Sequence, residues 1–296
     1  MQLLKGHDGP VHAIRFSPNG ETLVSAGKDG TVRTWDPAGT SITHLMSHEQ
    51  HQSFAFTADG RHLALGGSEG GLMVWSMAER TLVVSQRVEG PVSGLTFIQD
   101  DKSIALSLGT PAKETEVTAG SIRFWDWREN RFRPLLADIA PTIAVRDLAF
   151  LPAHRLMAWA TRNNLLTIWP ITRSTVTRLN LKNPCRSIAL SPNGRTLAAT
   201  ADWKVLLFDI EQRHERATLI NHKGMVSSLA FSPDGRHLLT GSWDKTVRIW
   251  DAVDGRERAV FEWPIGRVSS VTYAADGLRA AAAGDEGTIV IWDTDE

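Results

Sequence analysis

The chain has 296 residues, a formal net charge of −1 and 42% hydrophobic residues. It is long enough to bury a large core, and its balanced charge argues against a general attraction to nucleic acid or to an anionic membrane. No apolar run approaches the roughly 20 residues that a membrane-spanning helix needs, and the first residues carry no secretory signal. The single cysteine, Cys185, excludes an internal disulfide, so we expect a cytoplasmic protein.

The first 36 residues introduce a pattern of short strands and tight turns. Three β-rich runs at residues 11–16, 22–26 and 31–35 are separated by the pairs Asn19-Gly20 and Asp29-Gly30. Asn-Gly and Asp-Gly pairs tolerate the positive φ that tight hairpin turns require. Some of the runs are apolar throughout, which is typical of sheets that are covered on both faces. The segment therefore predicts an antiparallel sheet.

The same pattern recurs along the chain, and each copy has an aromatic residue at the end of its third run. Successive copies are 39 to 50 residues apart. A period of about 40–45 residues with four strands in each copy is the signature of a propeller blade. The seven aromatic residues are Trp35, Trp75, Trp125, Trp169, Phe208, Trp250 and Trp292.

The chain resembles the WD40-repeat family over essentially its whole length. The closest copies run from Gly6-His7 to Trp35-Asp36 and from Asn221-His222 to Trp250-Asp251. The resemblance implies an all-β, seven-bladed WD40 β-propeller with four antiparallel strands in each blade, and a single domain over residues 1–296. The predicted blades are residues 6–46, 47–86, 87–138, 139–180, 181–220, 221–262 and 263–296 together with 1–4.

The last blade lacks residues for a fourth strand, because the sequence continues only three residues beyond Asp293. Residues 1–4 precede Gly6-His7 just as residues 218–220 precede Asn221-His222. WD40 propellers generally close by sharing one blade between the two ends of the chain. We therefore predict that residues 1–4 complete the blade formed by residues 263–296.

The resemblance also implies a hydrogen-bonded tetrad of His, Ser or Thr, Asp and Trp inside a blade. Two blades contain all four residues, and we interpret them as buried structural networks, not as Ser-His-Asp catalytic sites. The spacing places Ala198 and Phe208 in the fifth blade, and Ala282 with Glu286 in the seventh, where the tetrad residues are missing. The complete tetrads are His7, Ser25, Asp29 and Trp35, and His222, Thr240, Asp244 and Trp250.

Family members commonly bind peptides and proteins on the top face of the propeller, so we expect a non-catalytic scaffold. Arginine and tryptophan dominate the energetics of interfaces, which favours an acidic or phosphorylated peptide docking across blades 4 to 6. The alternative is that the arginines of these blades are merely solvated and that their tryptophans cover strand edges. The residues assigned to the partner site are Arg146, Arg162, Arg186, Trp203, Met225 and Trp243.

Other functions remain open at this stage. A propeller enzyme with a site in the channel needs inward-facing acids, histidines or metal ligands, which the predicted inner strands lack. A nucleic-acid-binding propeller needs a basic surface with interleaved aromatics. We expect no catalytic residue, cofactor or metal, no membrane association, and a monomer when the domain is isolated. The long segment 110–120 of the third blade is interpreted as a partner-contacting lid or a tolerated insertion.

Overall fold

A computed structural model describes residues 1–36, 41–46, 49–98, 100–109, 121–134, 143–172 and 175–294. The described residues form 28 strands in seven four-stranded antiparallel sheets. Apart from one turn of 3-10 helix at Pro152–His154, they contain no helix. The predicted class, an all-β propeller with four strands in each of seven blades, is confirmed. The predicted loop 110–120 lies outside the described residues.

Six of the sheets each consist of four strands that are consecutive in the chain, and the seventh consists of the last three strands together with the first. Strand β1 is Gln2–Lys5. The first sheet contains β2 (Val11–Phe16), β3 (Leu23–Gly27), β4 (Thr31–Trp35) and β5 (Ser41–Met46). The second contains β6 (His51–Phe56), β7 (His62–Gly67), β8 (Gly71–Ser76) and β9 (Thr81–Arg87). The third contains β10 (Val92–Ile98), β11 (Ser103–Leu108), β12 (Ser121–Asp126) and β13 (Arg131–Pro134).

The remaining four sheets repeat this arrangement. The fourth contains β14 (Val145–Leu151), β15 (Leu156–Thr161), β16 (Leu165–Pro170) and β17 (Thr177–Asn180). The fifth contains β18 (Ile188–Leu190), β19 (Thr196–Ala201), β20 (Lys204–Asp209) and β21 (His214–Leu219). The sixth contains β22 (Val226–Phe231), β23 (His237–Ser242), β24 (Thr246–Asp251) and β25 (Glu257–Glu262). The seventh contains β26 (Val268–Tyr273), β27 (Arg279–Gly284) and β28 (Thr288–Asp293).

The seventh sheet takes its fourth strand from the beginning of the chain. β1 pairs antiparallel with β28, in a register that places Gln2 opposite Ile291 and Lys5 opposite Thr288. Leu4 is 2% exposed and packs in a cluster with Ile289. The predicted closure of the last blade by residues 1–4 is therefore confirmed.

The chain forms two compact units. One contains Met1–Gln50 and Arg186–Glu296, which carry the fifth, sixth, seventh and first sheets. In this unit β19 packs against β22, β22 against β26, and β26 against β2. The other unit is His51–Cys185, which carries the second, third and fourth sheets, and here β10 packs against both β6 and β14.

The core of each unit lies between neighbouring sheets, and this position explains the composition of the strands. The second strand of a sheet is covered on both faces, so β27 is an almost continuous run of alanine and every residue of β3 is buried. The outer strand β25 has one exposed face and alternates between half-buried and exposed residues. Apolar middle strands and alternating outer strands are what the burial of a sheet on both faces demands.

Candidate partner-binding surface

The four predicted residues of the first sheet form a continuous chain of hydrogen bonds. The indole N–H of Trp35 donates to Ser25 Oγ over 2.8 Å, and His7 Nε2 lies 2.7 Å from the same oxygen. His7 Nδ1 lies 3.0 Å from Asp29 Oδ2. The carboxylate can only accept, so Nδ1–H donates to it; in a neutral imidazole Nε2 then accepts from the hydroxyl, whose oxygen accepts from the indole.

The sixth sheet repeats this network with threonine as the hydroxyl residue. Trp250 Nε1 donates to Thr240 Oγ1 over 3.0 Å, His222 Nε2 lies 2.6 Å from that oxygen, and His222 Nδ1 lies 2.9 Å from Asp244 Oδ2. The side chains of His7 and His222 are 0% and 1% exposed. A histidine enclosed in this way cannot reach a substrate, so these residues hold the sheet together.

Each network has a fifth member that the sequence analysis missed. Thr31 Oγ1 donates to Asp29 Oδ1 over 2.8 Å, and Thr246 Oγ1 donates to Asp244 Oδ1 over 2.7 Å. The signal was available, because a threonine follows each aspartate by two residues. Burial raises the pKa of Asp29, but hydrogen bonds, first from the backbone of Thr31 and of Asp8, outweigh it and lower that pKa to about 2.

The incomplete networks leave buried donors without partners. In the seventh sheet Trp292 lies opposite Ala280, so Ala282 occupies the position of Ser25 and Thr240. Within the described part of the chain, the buried indole N–H of Trp292 has no hydrogen-bond partner, and neither has that of Trp75 in the second sheet. An unpaired buried donor costs about 1–3 kcal/mol.

The fifth sheet differs from the alignment that the spacing suggested. Leu197 lies opposite Phe208, which places Ala199, not Ala198, at the hydroxyl position. The reason is a two-residue turn, Asp202-Trp203, between Ala201 and Lys204. The corresponding turn of the sixth sheet is longer, because there Gly241 pairs with Val247. Asp202 therefore does not take the place of Asp244.

The first strands of six of the seven sheets carry a β-bulge near their beginning. The register shifts between the residues on either side of His12, Gln52, Ser93, Arg146, Ser227 and Ser269. A bulge turns its residue away from the regular ladder. Where that residue is serine, it bonds to the next sheet: Ser227 Oγ donates to the carbonyl of Val268 over 2.6 Å.

Arg186 precedes β18, at the place in the fifth sheet that matches Ser227. Its backbone N–H donates to Thr200 Oγ1 over 2.8 Å, which anchors the main chain. The exposed side chain extends to Trp243, with its guanidinium carbon 5.2 Å from the centroid of the indole. A cation at this distance over an indole is attracted by the ring. At this position Arg186 therefore contributes an exposed cation to the surface of the unit, whereas Ser227 forms a hydrogen bond between two sheets.

Four of the predicted residues lie on one surface of this unit. Trp203 and Trp243 are 41% and 40% exposed, and Met225 lies between their turns. The N–H of Trp243 donates to the Met225 carbonyl over 2.9 Å, and the N–H of Val226 donates to the carbonyl of Asp202 over 2.8 Å. Lys204 Nζ lies 4.5 Å from the centroid of the Trp203 ring. We name Arg186, Trp203, Met225, Trp243 and Arg267 the Trp-Arg surface.

Arg267 belongs to this surface although the sequence analysis did not select it. Its guanidinium carbon lies 5.6 Å from the centroid of Trp243. Asp285 Oδ1 accepts the backbone N–H of Arg267 over 2.7 Å, and Gly266 has a φ of +73° beside that carboxylate. Arg267 immediately precedes β26. No sequence signal marked it, because the contact joins two different sheets.

The other two predicted residues, Arg146 and Arg162, lie in the unit His51–Cys185. Arg146 is half-buried at the bulge of β14, and Arg162 is exposed, with its N–H donating to the carbonyl of Ala144 over 2.9 Å. The structure thus groups four of the six predicted residues in one unit and these two in the other.

The described residues contain neither a cluster suited to a metal ion nor a membrane-spanning helix. No group of three or more histidine, cysteine, aspartate or glutamate side chains there is arranged to hold a metal ion. Among the same residues, no helix is both long and apolar enough to cross a membrane.

Comparison with known proteins identifies the repeat. The family model described as "WD domain, G-beta repeat" matches residues 1–36, 175–209, 213–251 and 257–293. The chain is 29% identical to the serine-threonine kinase receptor-associated protein of Dictyostelium discoideum, over 84% of the chain and 82% of that protein. It is 22% identical to the mouse protein of that name, over 84% of the chain and 69% of the mouse protein. Protein FIZZY-RELATED 2 of Arabidopsis thaliana is 24% identical over 83% of the chain. The matched region covers 50% of the length of that protein.

Proposed function

Because the chain belongs to the WD40-repeat family of β-propellers, whose members are protein-interaction scaffolds, we propose that it binds a protein partner through the Trp-Arg surface. The proposed role is non-catalytic, and the proposed ligand is an acidic or phosphorylated segment of that partner. The names of two relatives describe association with a receptor, which supports a protein as the partner. A cytoplasmic location stays a prediction.

The observation that carries the proposal is the exposure of two large aromatic rings in neighbouring turns. Trp203 and Trp243 each leave about two fifths of their surface in solvent, although burial of such a ring is favourable. Tryptophan, arginine and methionine are enriched at protein interfaces. Both rings are in contact with cations, so a partner that covers them also meets positive charge.

Affinity purification with the Trp203→Ala/Trp243→Ala variant tests this function. The wild-type chain is compared with the double variant and with Leu278→Ala, which removes another exposed apolar side chain of the same unit. We expect partners that the wild type and Leu278→Ala both retain to be lost from the double variant. Truncation of interface tryptophans typically costs about 2 kcal/mol or more each, or roughly 30-fold in affinity.

Two controls make this experiment decisive. Thermal unfolding must show that the double variant is folded, since a collapsed chain also loses its partners. Nuclease treatment of the extract separates a protein partner from one recruited through nucleic acid. Equal recovery of the same partners by a folded double variant contradicts the proposal, and loss of all partners after nuclease treatment favours the nucleic-acid alternative.

A further inference from the structure

Two arginines from different sheets meet one exposed indole. The guanidinium carbons of Arg186 and Arg267 lie 5.2 and 5.6 Å from the centroid of Trp243. Both arginines are exposed. Within the described residues, neither guanidinium has a carboxylate within 4.0 Å. The nearby carboxylate of Asp285 is bonded instead to the backbone of Arg267. These parts of the chain therefore supply a counter-ion to neither guanidinium group.

Contact with Trp243 prepares both guanidinium groups for an anion. A guanidinium group held against a ring loses less conformational freedom when its planar N–H fork binds two oxygens. One carboxylate has a single charge and two oxygens, which one fork satisfies. A phosphate monoester carries about −1.5 to −2 charges at pH 7 and three free oxygens, enough to engage two forks at once. Two arginines that share one indole match the charge and the oxygens of a phosphate better than those of a carboxylate.

Resting on the function proposed above, we infer that the Trp-Arg surface recognises a phosphorylated serine or threonine of the partner, with Arg186 and Arg267 both bonded to its phosphate. Trp243 acts as a positioning residue that holds the two guanidinium groups. Apolar side chains lie next to Trp243 on this surface, namely Met225 and the exposed ring of Trp203. The recognised segment therefore carries a large apolar residue close to its phosphorylated residue.

Three peptide libraries test the inference directly. They are degenerate at the flanking positions and carry phosphoserine, serine or glutamate at a fixed central position. Binding of each library to the wild-type chain is measured together with Arg186→Ala, Arg267→Ala and Arg236→Ala. Arg236 is a matched control, because it is 81% exposed and precedes β23, whereas Trp243 follows the opposite end of that strand.

The expected result is selective binding of the phosphoserine library, enriched in peptides with a neighbouring large apolar residue. Arg186→Ala and Arg267→Ala each weaken this binding by about 30-fold or more, which is typical of an arginine that anchors an interface. Arg236→Ala leaves it unchanged. Arg267→Lys gives an intermediate loss, since lysine keeps the charge and lacks the planar fork. Melting temperatures of all variants confirm that they are folded.

Several outcomes overturn the inference. They are equal binding of the phosphoserine and glutamate libraries, no binding of any library, and unchanged binding by a folded Arg267→Ala variant. Selective capture of a polyuridine oligonucleotide in place of the peptides also overturns it. If Trp203→Ala/Trp243→Ala still abolishes partner recovery while glutamate and phosphoserine bind equally, the scaffold function stands and the phosphate is wrong. If the partners survive that double variant, the proposed function itself fails.

Discussion

The sixth and seventh sheets solve the same packing problem in different ways. Both begin with a bulged strand that contains Val-Ser-Ser, and both end their third strand with Trp-Asp, in which the tryptophan is buried. In the sixth sheet Trp250 donates to Thr240 within a network that reaches Asp244. In the seventh sheet Ala282 occupies the position of Thr240, and Trp292 donates to no described residue.

The seventh sheet compensates through packing. The ring centroids of Trp263, just beyond β25, and of Phe261, on β25, lie 4.6 and 5.9 Å from that of Trp292. Aromatic pairs at such distances contribute about 0.5–1.5 kcal/mol beyond the area they bury. The packing of the buried tryptophan is thus common to both sheets, and the hydrogen-bonded network of the sixth sheet adds to it. Four experiments test how the two sheets are stabilised, and they follow in order of decreasing expected effect.

The largest effect is expected where the seventh sheet depends on β1. Deletion of residues 1–5 removes a whole strand and the buried Leu4, so we expect a substantial fall in melting temperature. Leu4→Ala alone should cost about 2–4 kcal/mol, since a buried leucine leaves a cavity. Leu3→Ala is the matched control, because the Leu3 side chain is 37% exposed. Urea unfolding that gives the same stability for all three variants and the wild type contradicts the importance of this strand.

A smaller effect is expected from the polar network of the sixth sheet. Asp244→Ala removes the carboxylate that accepts from His222 Nδ1 and from Thr246, which should cost about 1–3 kcal/mol. Glu286→Ala alters the matching position of the seventh sheet, where no such network exists, and should change stability by less than about 0.5 kcal/mol. Equal losses in the two variants, measured by chemical denaturation, would show that the network adds nothing to the sixth sheet.

Acid should reveal the same networks through their aspartates. Hydrogen bonds outweigh burial and hold the pKa of Asp29 at about 2 and that of Asp244 well below its usual range. Because these folded-state pKa values are depressed, the stabilisation is complete above the unfolded value of about 3.9 and is lost as the pH falls toward 2. We expect Asp29→Asn/Asp244→Asn to be less stable than the wild type at pH 7, with the difference shrinking below about pH 4. Urea titrations at several pH values measure this, and a constant difference contradicts it.

The smallest expected effect is a gain. Ala282→Ser provides Trp292 with the acceptor that Ser25 provides for Trp35, and should add about 0.5–1 kcal/mol. Ala283→Ser is the control, since it places a hydroxyl on the opposite face of β27, where a buried polar group is unfavourable. The idea is wrong if both variants lose stability equally when their thermal unfolding is compared.

The sequence predicted what depends on a repeated local pattern. The seven sheets, the complete networks around Trp35 and Trp250, and the contribution of residues 1–4 to the last sheet all follow from residue types at fixed spacing. Turn length is a weaker signal: the short Asp202-Trp203 turn shifted the alignment of the fifth sheet by one residue. Contacts between sheets carry no periodic signal at all. Arg267 was missed for that reason, because its proximity to Trp243 arises only when the sixth and seventh sheets pack together.

The pairing of β1 with β28 has a consequence for how the protein comes into being. Gln2 must wait for Ile291, its partner in the ladder, until the strands of the other six sheets have been synthesised. During synthesis β1 therefore has no native neighbour, and the sheet that it completes is the last that can form. Because so distant a contact is slow to make, moving residues 1–5 by a genetic rearrangement to follow β28 directly should shorten the final folding step while preserving the native ladder.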